Sequence, residues 1–301
     1  MPRNIMIGTA FATFNAFMLA AMGLFAKMLS VHFGPIEVTF WRNSASLIFL
    51  LIWFLIIRQS GFWKTNRPYA HLFRSFIGTC GIILGMWTLA LLPLAETSIL
   101  LFTSPLFTVL LSAFILKEQV GPYRYAAVAM GFLGVAITAA PSDSFPLLGL
   151  IAGLGWGFFS GTVDVTLRWM GDTEKSGTTV FYFLLLSMLA TGLYWPFSAT
   201  PITNIALDTV LSITGIIAAL GLTGTLALLA KTQSYRLAEA SLIAPIMYTM
   251  LIWSIGFDYL IWDRIPGWNV FAGATLIIAA NMVIILRERR AKKHSTQGTS
   301  R

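Results

Sequence analysis

Residues 5–26 read IMIGTAFATFNAFMLAAMGLFA, a continuous stretch that contains no charged side chain. A helix that crosses about 30 Å of hydrocarbon needs about 20 apolar residues, because each residue advances the helix by about 1.5 Å. The apolar core of a signal peptide is shorter, about 7–15 residues, and no cleavage pattern follows Ala26. The stretch therefore predicts a first transmembrane helix that is retained in the protein.

Nine further apolar stretches follow, separated by short breaks that are rich in glycine and proline. The ten predicted spans are 5–26, 36–57, 72–91, 95–115, 123–140, 146–168, 178–197, 209–230, 237–260 and 267–286. The composition agrees, since 57% of the 301 residues are hydrophobic and 11% are charged, whereas a soluble domain has about 25% charged residues. We predict an all-α integral membrane protein, most consistent with a bacterial inner membrane.

The positively charged residues predict the orientation, because short cytoplasmic loops carry an excess of Lys and Arg. With a cytoplasmic N-terminus, 17 of the 20 Lys and Arg fall in inner segments, Lys27 and Arg264 fall in outer segments, and Arg42 lies within a span. Six of them lie in the tail 287–301, where they suit contact with anionic lipid rather than with nucleic acid. Both termini are therefore predicted to be cytoplasmic.

The two halves of the chain resemble each other. Leu94-Ala95-Glu96-Thr97-Ser98 at the start of span 4 corresponds to Leu237-Ala238-Glu239-Ala240-Ser241 at the start of span 9. Span 6 also has a small residue at every fourth position: Gly149, Gly153, Gly157 and Gly161. The positions 141 residues earlier, in span 1, are also small: Gly8, Ala12, Ala16 and Ala20. Small residues on one face let helices approach closely in lipid.

Each half contains five predicted helices, and an odd number makes the second half enter the membrane from the opposite side. We therefore predict two inverted five-helix repeats around a central cavity, residues 1–140 and 141–286, followed by the basic cytoplasmic tail 287–301. Inverted repeats are typical of transporters that open alternately to either side of the membrane.

These blocks, taken in order, resemble the EamA-type branch of the drug/metabolite transporter superfamily. The residues that carry the resemblance include Phe40-Trp41-Arg42-Asn43, Leu92-Pro93-Leu94-Ala95-Glu96, Thr103-Ser104-Pro105-Leu106, Leu116-Lys117-Glu118, Ala244-Pro245 with Tyr248, and Trp262-Asp263. The resemblance implies ten helices around a cavity and the transport of amino acids, nucleoside-like cofactors or other metabolites. The sequence around Arg42 and Arg67-Pro68 also resembles carriers of S-adenosylmethionine or riboflavin, whereas Asp263 replaces the usual glutamate.

Polar, aromatic and proline residues inside the spans are candidates for the substrate site. They are Asn15, Arg42, Trp87, Ser104, Pro105, Trp156, Ser241, Pro245 and Tyr248. Each proline removes a backbone donor and frees a carbonyl, so a kinked segment usually faces protein or a wet cavity. The alternatives are a packing kink whose carbonyls bond Ser or Thr hydroxyls, packing roles for the aromatics, and for Arg42 a pairing with Glu37 or an extension to the membrane surface.

Three carboxylates are candidates for coupling or gating: Asp164, Glu96 and Glu239. Asp164 could carry a proton or a cation, or form an ion pair with Arg168 one turn later. Glu96 and Glu239 could line gates, or could stabilise the amino ends of their helices. Glu118 and Asp263, at the opposite helix ends, are expected to neutralise Lys117 or Arg264.

The predicted function is secondary transport of a small organic metabolite. No nucleotide-binding P-loop pattern is present, so we expect transport to run down a gradient, by coupling to a proton or cation or by passive exchange. An integral membrane enzyme and a channel are the alternatives, although the sequence shows no catalytic pattern and no repeated polar ring. The single Cys80 and the three scattered histidines predict neither a metal site nor a cofactor, and one ten-helix chain could enclose the cavity alone.

Overall fold

The computed structural model describes residues 5–115, 117, 121–139, 146–170, 176–194, 197, 207–238 and 240–298, and the described residues form α-helices and no strand. The helices are α1 (Ile5–Leu29), α2 (Pro35–Ile56), α3 (Pro68–Leu91), α4 (Leu94–Leu101), α5 (Ser104–Ile115), α6 (Pro122–Thr138), α7 (Leu147–Met170), α8 (Ser176–Gly192), α9 (Leu207–Leu237), α10 (Ala240–Met247), α11 (Met250–Trp262) and α12 (Trp268–Gly298).

Eight helical stretches among the described residues are long and apolar enough to cross a membrane. They are Ile5–Leu29, Pro35–Ile56, Pro68–Leu91, Leu94–Ile115, Leu147–Leu167, Val210–Tyr235, Leu242–Trp262 and Trp268–Leu286, and the apolar helix Gly177–Gly192 is shorter. The predicted spans 123–140 and 178–197 correspond to α6 and α8, which have 17 residues each. Helices of this length lie at the lower end of the range that crosses a bilayer. The chain is a multi-pass, all-helical membrane protein.

The predicted span 95–115 is broken into α4 and α5 at Phe102 and Thr103. Pro105 lies in the first turn of α5, where its missing N–H costs no helical hydrogen bond. At the break, the Leu100 carbonyl accepts the Thr103 hydroxyl at 2.6 Å as well as the Thr103 N–H, and the Phe102 carbonyl accepts the Asn281 amide at 2.9 Å. The helix is therefore broken two residues before the proline, with its polar groups bonded inside protein.

The predicted span 237–260 is broken in the same way, into α10 and α11. Here the break follows Pro245, at Tyr248 and Thr249. The Thr249 hydroxyl donates to the Ile246 carbonyl at 2.7 Å, as the Thr103 hydroxyl does to Leu100 in the first break. Both breaks thus use a threonine to bond a carbonyl three residues earlier.

The small-residue ladders of α1 and α7 are buried, as predicted. All eight ladder positions are buried. In α7 the ladder lies against α4 and α5: a Cβ at Gly149 would come within 2.8 Å of Leu92, and one at Gly161 within 3.0 Å of the Ser104 carbonyl oxygen. In α1, a Cβ at Gly8 would come within 2.7 Å of the Ala238 Cβ. The missing side chains therefore permit close helix packing.

The largest helix interfaces join α1 with α9, α6 with α12, and α3 with α7. Gly8 faces Ala238 whereas Gly224 faces Met22, so α1 and α9 run antiparallel. The largest apolar cluster of the core lies where α1, α4, α11 and α12 meet, around Ile99, Leu251 and Ile277. This packing leaves one end of the bundle filled and the other end open.

Candidate functional site

A cavity of about 370 Å³ lies between α5, α6, α7, α9, α10 and α12. Its lining residues are Pro105, Thr108, Val109, Ser112, Arg124, Asp164, Leu167, Tyr235, Ala244, Tyr248, Asn281, Ile284 and Ile285. Tyr235 is near the end of α9, which lies beside the beginning of α1. We call this end of the bundle, where α1 begins, the open end.

One face of α5 forms a wall of the cavity. Pro105, Thr108, Val109 and Ser112 recur at intervals of three or four residues, which places them on the same side of a helix. The Thr108 hydroxyl donates to the Ser104 carbonyl at 2.9 Å, whereas the hydroxyl of Ser112 has no hydrogen-bond partner in the described part of the chain. This wall can offer hydroxyl groups to a bound molecule.

The floor of the cavity is formed where the two helix breaks meet. The Tyr248 ring, at the break between α10 and α11, packs edge-on against the Phe102 ring at the break between α4 and α5, with 5.0 Å between centroids. Asn281 on α12 reaches the same point, since it lines the cavity and bonds the Phe102 carbonyl. The broken helices and α12 therefore bring an aromatic ring and an amide to the bottom of the cavity, a combination that suits a polar organic ligand.

The cavity wall carries charges of both signs. Asp164 projects from α7 and Arg124 from the first turn of α6. Asp164 also interacts electrostatically with Arg74 on α3 and with Tyr235 on α9. A molecule in the cavity would thus meet a carboxylate, a guanidinium group and two phenol rings.

Pro105, Asp164 and Tyr248 are the predicted site residues that the structure brings together in this cavity. Ser104 is next to Pro105 and is buried, and Pro245 is next to the lining residue Ala244 in α10. These five predicted positions therefore lie in or beside one site.

Other predicted residues lie elsewhere. Asn15 is buried in α1 and donates to the Met247 sulfur at 3.1 Å, and Arg42 donates to the Asn43 amide oxygen at 3.0 Å. Trp87 is 43% exposed on α3, whereas Trp156 packs on α3, where its ring would lie 2.7 Å from a Cβ at Gly85. These four are not among the residues that line the cavity.

The remaining predictions concern helix ends. Glu239, Glu118 and the side chains of Ser241 and Arg168 lie outside the described part of the chain. Glu96 is buried at the end of the bundle opposite the cavity, where its carboxylate lies 3.5 Å from the Arg264 guanidinium group. Arg264 was expected to pair with Asp263, but in the structure Glu96 is its ion-pair partner.

Glu96 belongs to a group of charged residues that the sequence patterns did not bring together. Asp258 on α11 accepts hydrogen bonds from the backbone N–H groups of Leu94 and Ala95, at 3.1 and 2.9 Å. The Lys27 ammonium group donates to the Leu92 carbonyl at 2.6 Å and lies 5.3 Å from the Trp262 ring centroid. We call Lys27, Glu96, Asp258 and Arg264 the closed-end cluster, because they join α1, α4 and α11 where α1 ends.

Five polar residues of the cavity lining were also missed: Thr108, Ser112, Arg124, Tyr235 and Asn281. A signal existed for three of them. Thr108 and Ser112 follow Pro105 at helical spacing, and Asn281 is an amide well inside a strongly apolar span, where a polar side chain usually faces protein. Arg124 and Tyr235 lie at span ends, where charged and aromatic residues are ordinary, so nothing in the sequence marks them.

Comparison with known proteins agrees with this architecture. Residues 6–140 match the EamA-like transporter family. The chain is also 26% identical over 276 residues to the S-adenosylmethionine uptake transporter of Rickettsia bellii (strain RML369-C), covering 90% of this chain and 91% of that protein. The first half of the chain therefore contains an EamA-like transporter domain. This match supports the predicted resemblance to that family.

A second relative has a different named cargo. It is the pseudopaline exporter CntI of Pseudomonas aeruginosa (strain UCBPP-PA14), 27% identical over 276 residues, with 91% of this chain and 94% of that protein covered. A protein of known crystal structure has the same fold over 94% of this chain and 98% of its own, with a TM-score of 0.65 at 18% identity. The chain is therefore a small-metabolite membrane transporter, and it shares its fold with that protein of known structure.

Proposed function

We propose that this transporter moves a small organic metabolite with both an ammonium and a carboxylate group, and that the cavity at the open end is its binding site. The observation that carries the proposal is the lining, in which Asp164 and Arg124 accompany Tyr235, Tyr248 and Asn281. A carboxylate pairs with an ammonium group and a guanidinium group pairs with a carboxylate. Amino acids and S-adenosylmethionine, the cargo named for one relative, carry both groups.

The arrangement of helices supports two inverted repeats, 1–140 and 141–286, with α4–α5 and α10–α11 each counted as one broken span. In this division, α7, α8 and α9 correspond to α1, α2 and α3. The helix contacts match accordingly: α1 packs on α9 as α7 packs on α3, and α2 packs on α9 as α8 packs on α3. The pairs α2–α8 and α6–α12 each join a helix with its own counterpart. A bundle built this way has ten spans and can open toward either side with similar packing.

The distribution of positive charge supports a cytoplasmic open end in an inner membrane. Among the described residues, Arg124, Lys231 and Lys117 lie at the open end, whereas Lys27 and Arg264 lie at the closed end. An excess of Lys and Arg marks the cytoplasmic side. The cavity then faces the cytoplasm, and the closed-end cluster separates it from the opposite side.

Binding is tested first, with the purified full-length protein in mild detergent. Thermal unfolding is measured with amino acids, S-adenosylmethionine, riboflavin, nucleosides and polyamines. A ligand at about 100 times its Kd stabilises the folded state by about 2.7 kcal/mol. We expect a selective shift with a compound that carries both an ammonium and a carboxylate group.

Two tyrosines make the matched comparison. Tyr248→Ala should remove the ligand shift, because Tyr248 lines the cavity, whereas Tyr259→Ala should keep it, because Tyr259 is 51% exposed on α11. Stabilisation by polyamines or nucleosides but not by any amino-acid compound would contradict the proposed substrate class. An equal shift in both variants would place binding outside the cavity.

We further propose that Asp164 takes part in coupling as a cavity carboxylate that binds a proton or cation. In proteoliposomes, Asp164→Asn should lose concentrative uptake and its pH dependence, and should exchange labelled substrate only with a raised KM, because the neutral amide binds an ammonium group more weakly than a carboxylate does. Full concentrative uptake with unchanged pH dependence in Asp164→Asn would remove Asp164 from the coupling step.

A further inference from the structure

Asp258 is a carboxylate that joins the two halves of the molecule at the closed end. It is 2% exposed, and its two oxygens accept the backbone N–H groups of Leu94 and Ala95, one each. These N–H groups belong to the first turn of α4, which has no earlier carbonyls to bond them. One turn earlier on α11, the Ser254 hydroxyl lies 2.8 Å from the Ser98 hydroxyl. The contact is therefore a polar, buried interface between α4 and α11.

The charged groups that face Asp258 come from each neighbouring segment. Lys27 comes from α1, Glu96 from α4, and Arg264 from the segment after α11. With all four side chains ionised, two positive and two negative charges balance. Asp263, on the same side of the molecule as Arg264, is exposed to solvent.

We propose that Asp258 is a proton-binding residue of the transport cycle, and that the closed end opens when Asp258 binds a proton from the solution at that end. The proposal rests on the alternating access described above, in which this end must open. The proton forms an O–H bond with one carboxylate oxygen, and it returns to solution when the end closes and the carboxylate again accepts the two N–H groups.

The physical reason is the difference between an ionised and a neutral acid at this position. A carboxylate bonds amide N–H groups strongly and complements the positive amino end of α4. A neutral acid accepts these amide hydrogen bonds more weakly, because it carries no charge and one of its oxygens becomes an O–H donor. Protonation therefore weakens the closed arrangement and shifts the equilibrium toward the open one.

Asp258 differs in this respect from Glu96, the other acid of the cluster. Glu96 bonds Arg264, whose side chain is 45% exposed, so water can replace that partner when the end opens. The partners of Asp258 are two backbone N–H groups of α4, which move with that helix when α4 separates from α11. Opening therefore breaks the hydrogen bonds of Asp258, and we assign the proton-sensitive step to this residue.

Accessibility of a single cysteine tests the proposal directly. Cys80→Ala removes the one native cysteine, and Ser254→Cys then places a thiol at a position that is 1% exposed. The rate of labelling by N-ethylmaleimide is measured in detergent as a function of pH, and is normalised to the same thiol in unfolded protein. In this background the normalised rate should rise as the pH falls through the acid range.

Asp258→Asn should label about tenfold to a hundredfold faster than its parent at neutral pH, as expected for the loss of a charge-assisted bond, and should lose the normalised pH dependence. Asp263→Asn is the matched control, since it makes the same change on an exposed residue with φ of 50°, a conformation that asparagine tolerates. This control should behave like the parent.

Labelling of Asp258→Asn at the parent rate, or a normalised pH dependence that persists in it, would overturn the proposal. Faster labelling in Asp263→Asn as well would assign the effect to net charge rather than to Asp258. The measurement uses no substrate, so a failed metabolite screen leaves its result unaffected. Conversely, an unresponsive closed end would leave ligand binding in the cavity intact.

Discussion

The two ends of the bundle are built from the same broken helices, yet one end is filled and the other is open. At the closed end, residues 94–100 of α4 are all buried and bond α11 through Ser98, Leu94 and Ala95. At the open end, the continuation of that span, α5, turns Pro105 and Ser112 toward the cavity. The change occurs at the break between them.

The difference shows what a helix break contributes in this fold. A straight helix would carry the packing of α4 on α11 to both ends, because its path could not diverge from that of its neighbour. The breaks at Phe102 and Tyr248 meet in the middle of the bundle, so each half of each span can pack independently. We therefore expect each end to open by movement of the helix halves at that end.

A covalent bond between α4 and α11 gives the strongest test of whether the closed end opens during transport. The Ser98 and Ser254 hydroxyl oxygens are 2.8 Å apart, and a disulfide needs sulfur atoms about 2.05 Å apart. In a Cys80→Ala background, oxidised Ser98→Cys/Ser254→Cys should lose nearly all transport in proteoliposomes, because α4 can no longer leave α11. A reductant should restore it.

The single-cysteine variants are the controls for that experiment and should transport equally with and without oxidant. Transport that persists after complete disulfide formation, verified by mass spectrometry, would mean that the closed end does not open between α4 and α11. The binding of substrate at the open end should survive oxidation, since the disulfide lies beyond the helix break.

A glycine of the α7 ladder should be the next most sensitive position. At Gly161 a Cβ would lie 3.0 Å from both the Phe107 Cβ and the Ser104 carbonyl oxygen, and backbone cannot move as a flexible side chain does. Gly161→Leu should therefore destabilise the folded protein by about 1–3 kcal/mol through overpacking. Thermal unfolding in detergent measures the change.

Gly256 on α11 provides the control, because no atom lies within 4 Å of a Cβ built there. Gly256→Leu should leave the unfolding temperature almost unchanged. Leucine has a higher helix propensity than glycine, so helix propensity cannot explain a loss of stability. If both variants lost equal stability, the cause would be a general effect of the added side chain, and the ladder would have no special role.

Much of the fold was predictable because apolar length and residue spacing can be read along the sequence without knowledge of distant contacts. Apolar length predicted helices at all ten places, and the four-residue spacing from Gly149 to Gly161 predicted a buried face, which the structure confirms. The exact break between α4 and α5 was not predictable. Pro105 marks the region, but the break lies at Phe102, where the Asn281 amide on α12 bonds the carbonyl.

The candidate site was predicted in part. Pro105 and Tyr248 follow from the kink argument and Asp164 from its charge within a span, because these are local properties. Asp258 was missed, since an acid near the end of an apolar stretch resembles an ordinary helix-end charge. Its role depends on amides that lie 163 and 164 residues away in sequence, and only the packing of α4 on α11 brings them together.

A substitution of Asn281 tests whether its hydrogen bond to the Phe102 carbonyl contributes to stability, to ligand binding or to both. It bonds the Phe102 carbonyl at the break and also lines the cavity. Asn281→Leu should cost about 0.6–2 kcal/mol, as for other hydrogen bonds between membrane helices, and should also abolish the ligand shift. Asn269→Leu removes a comparable bond to the Thr138 carbonyl at 3.0 Å, away from the cavity, and should lose stability alone. Loss of ligand binding in both would indicate a general defect.

The smallest expected effect concerns Trp262, which lies beside the Lys27 ammonium group at the closed end. Trp262→Leu removes a cation–π contact worth about 0.5–1 kcal/mol at a partly exposed site, so the thiol at Ser254→Cys should label about two- to fivefold faster.

Trp253→Leu is the control: its ring is similarly exposed, at 37% against 39%, but packs edge-on against Phe17 instead of a cation. Equal acceleration in both variants would attribute the effect to lost aromatic packing. Acceleration in Trp262→Leu alone would show that Lys27 holds α1 to the closed end through this ring as well as through the Leu92 carbonyl.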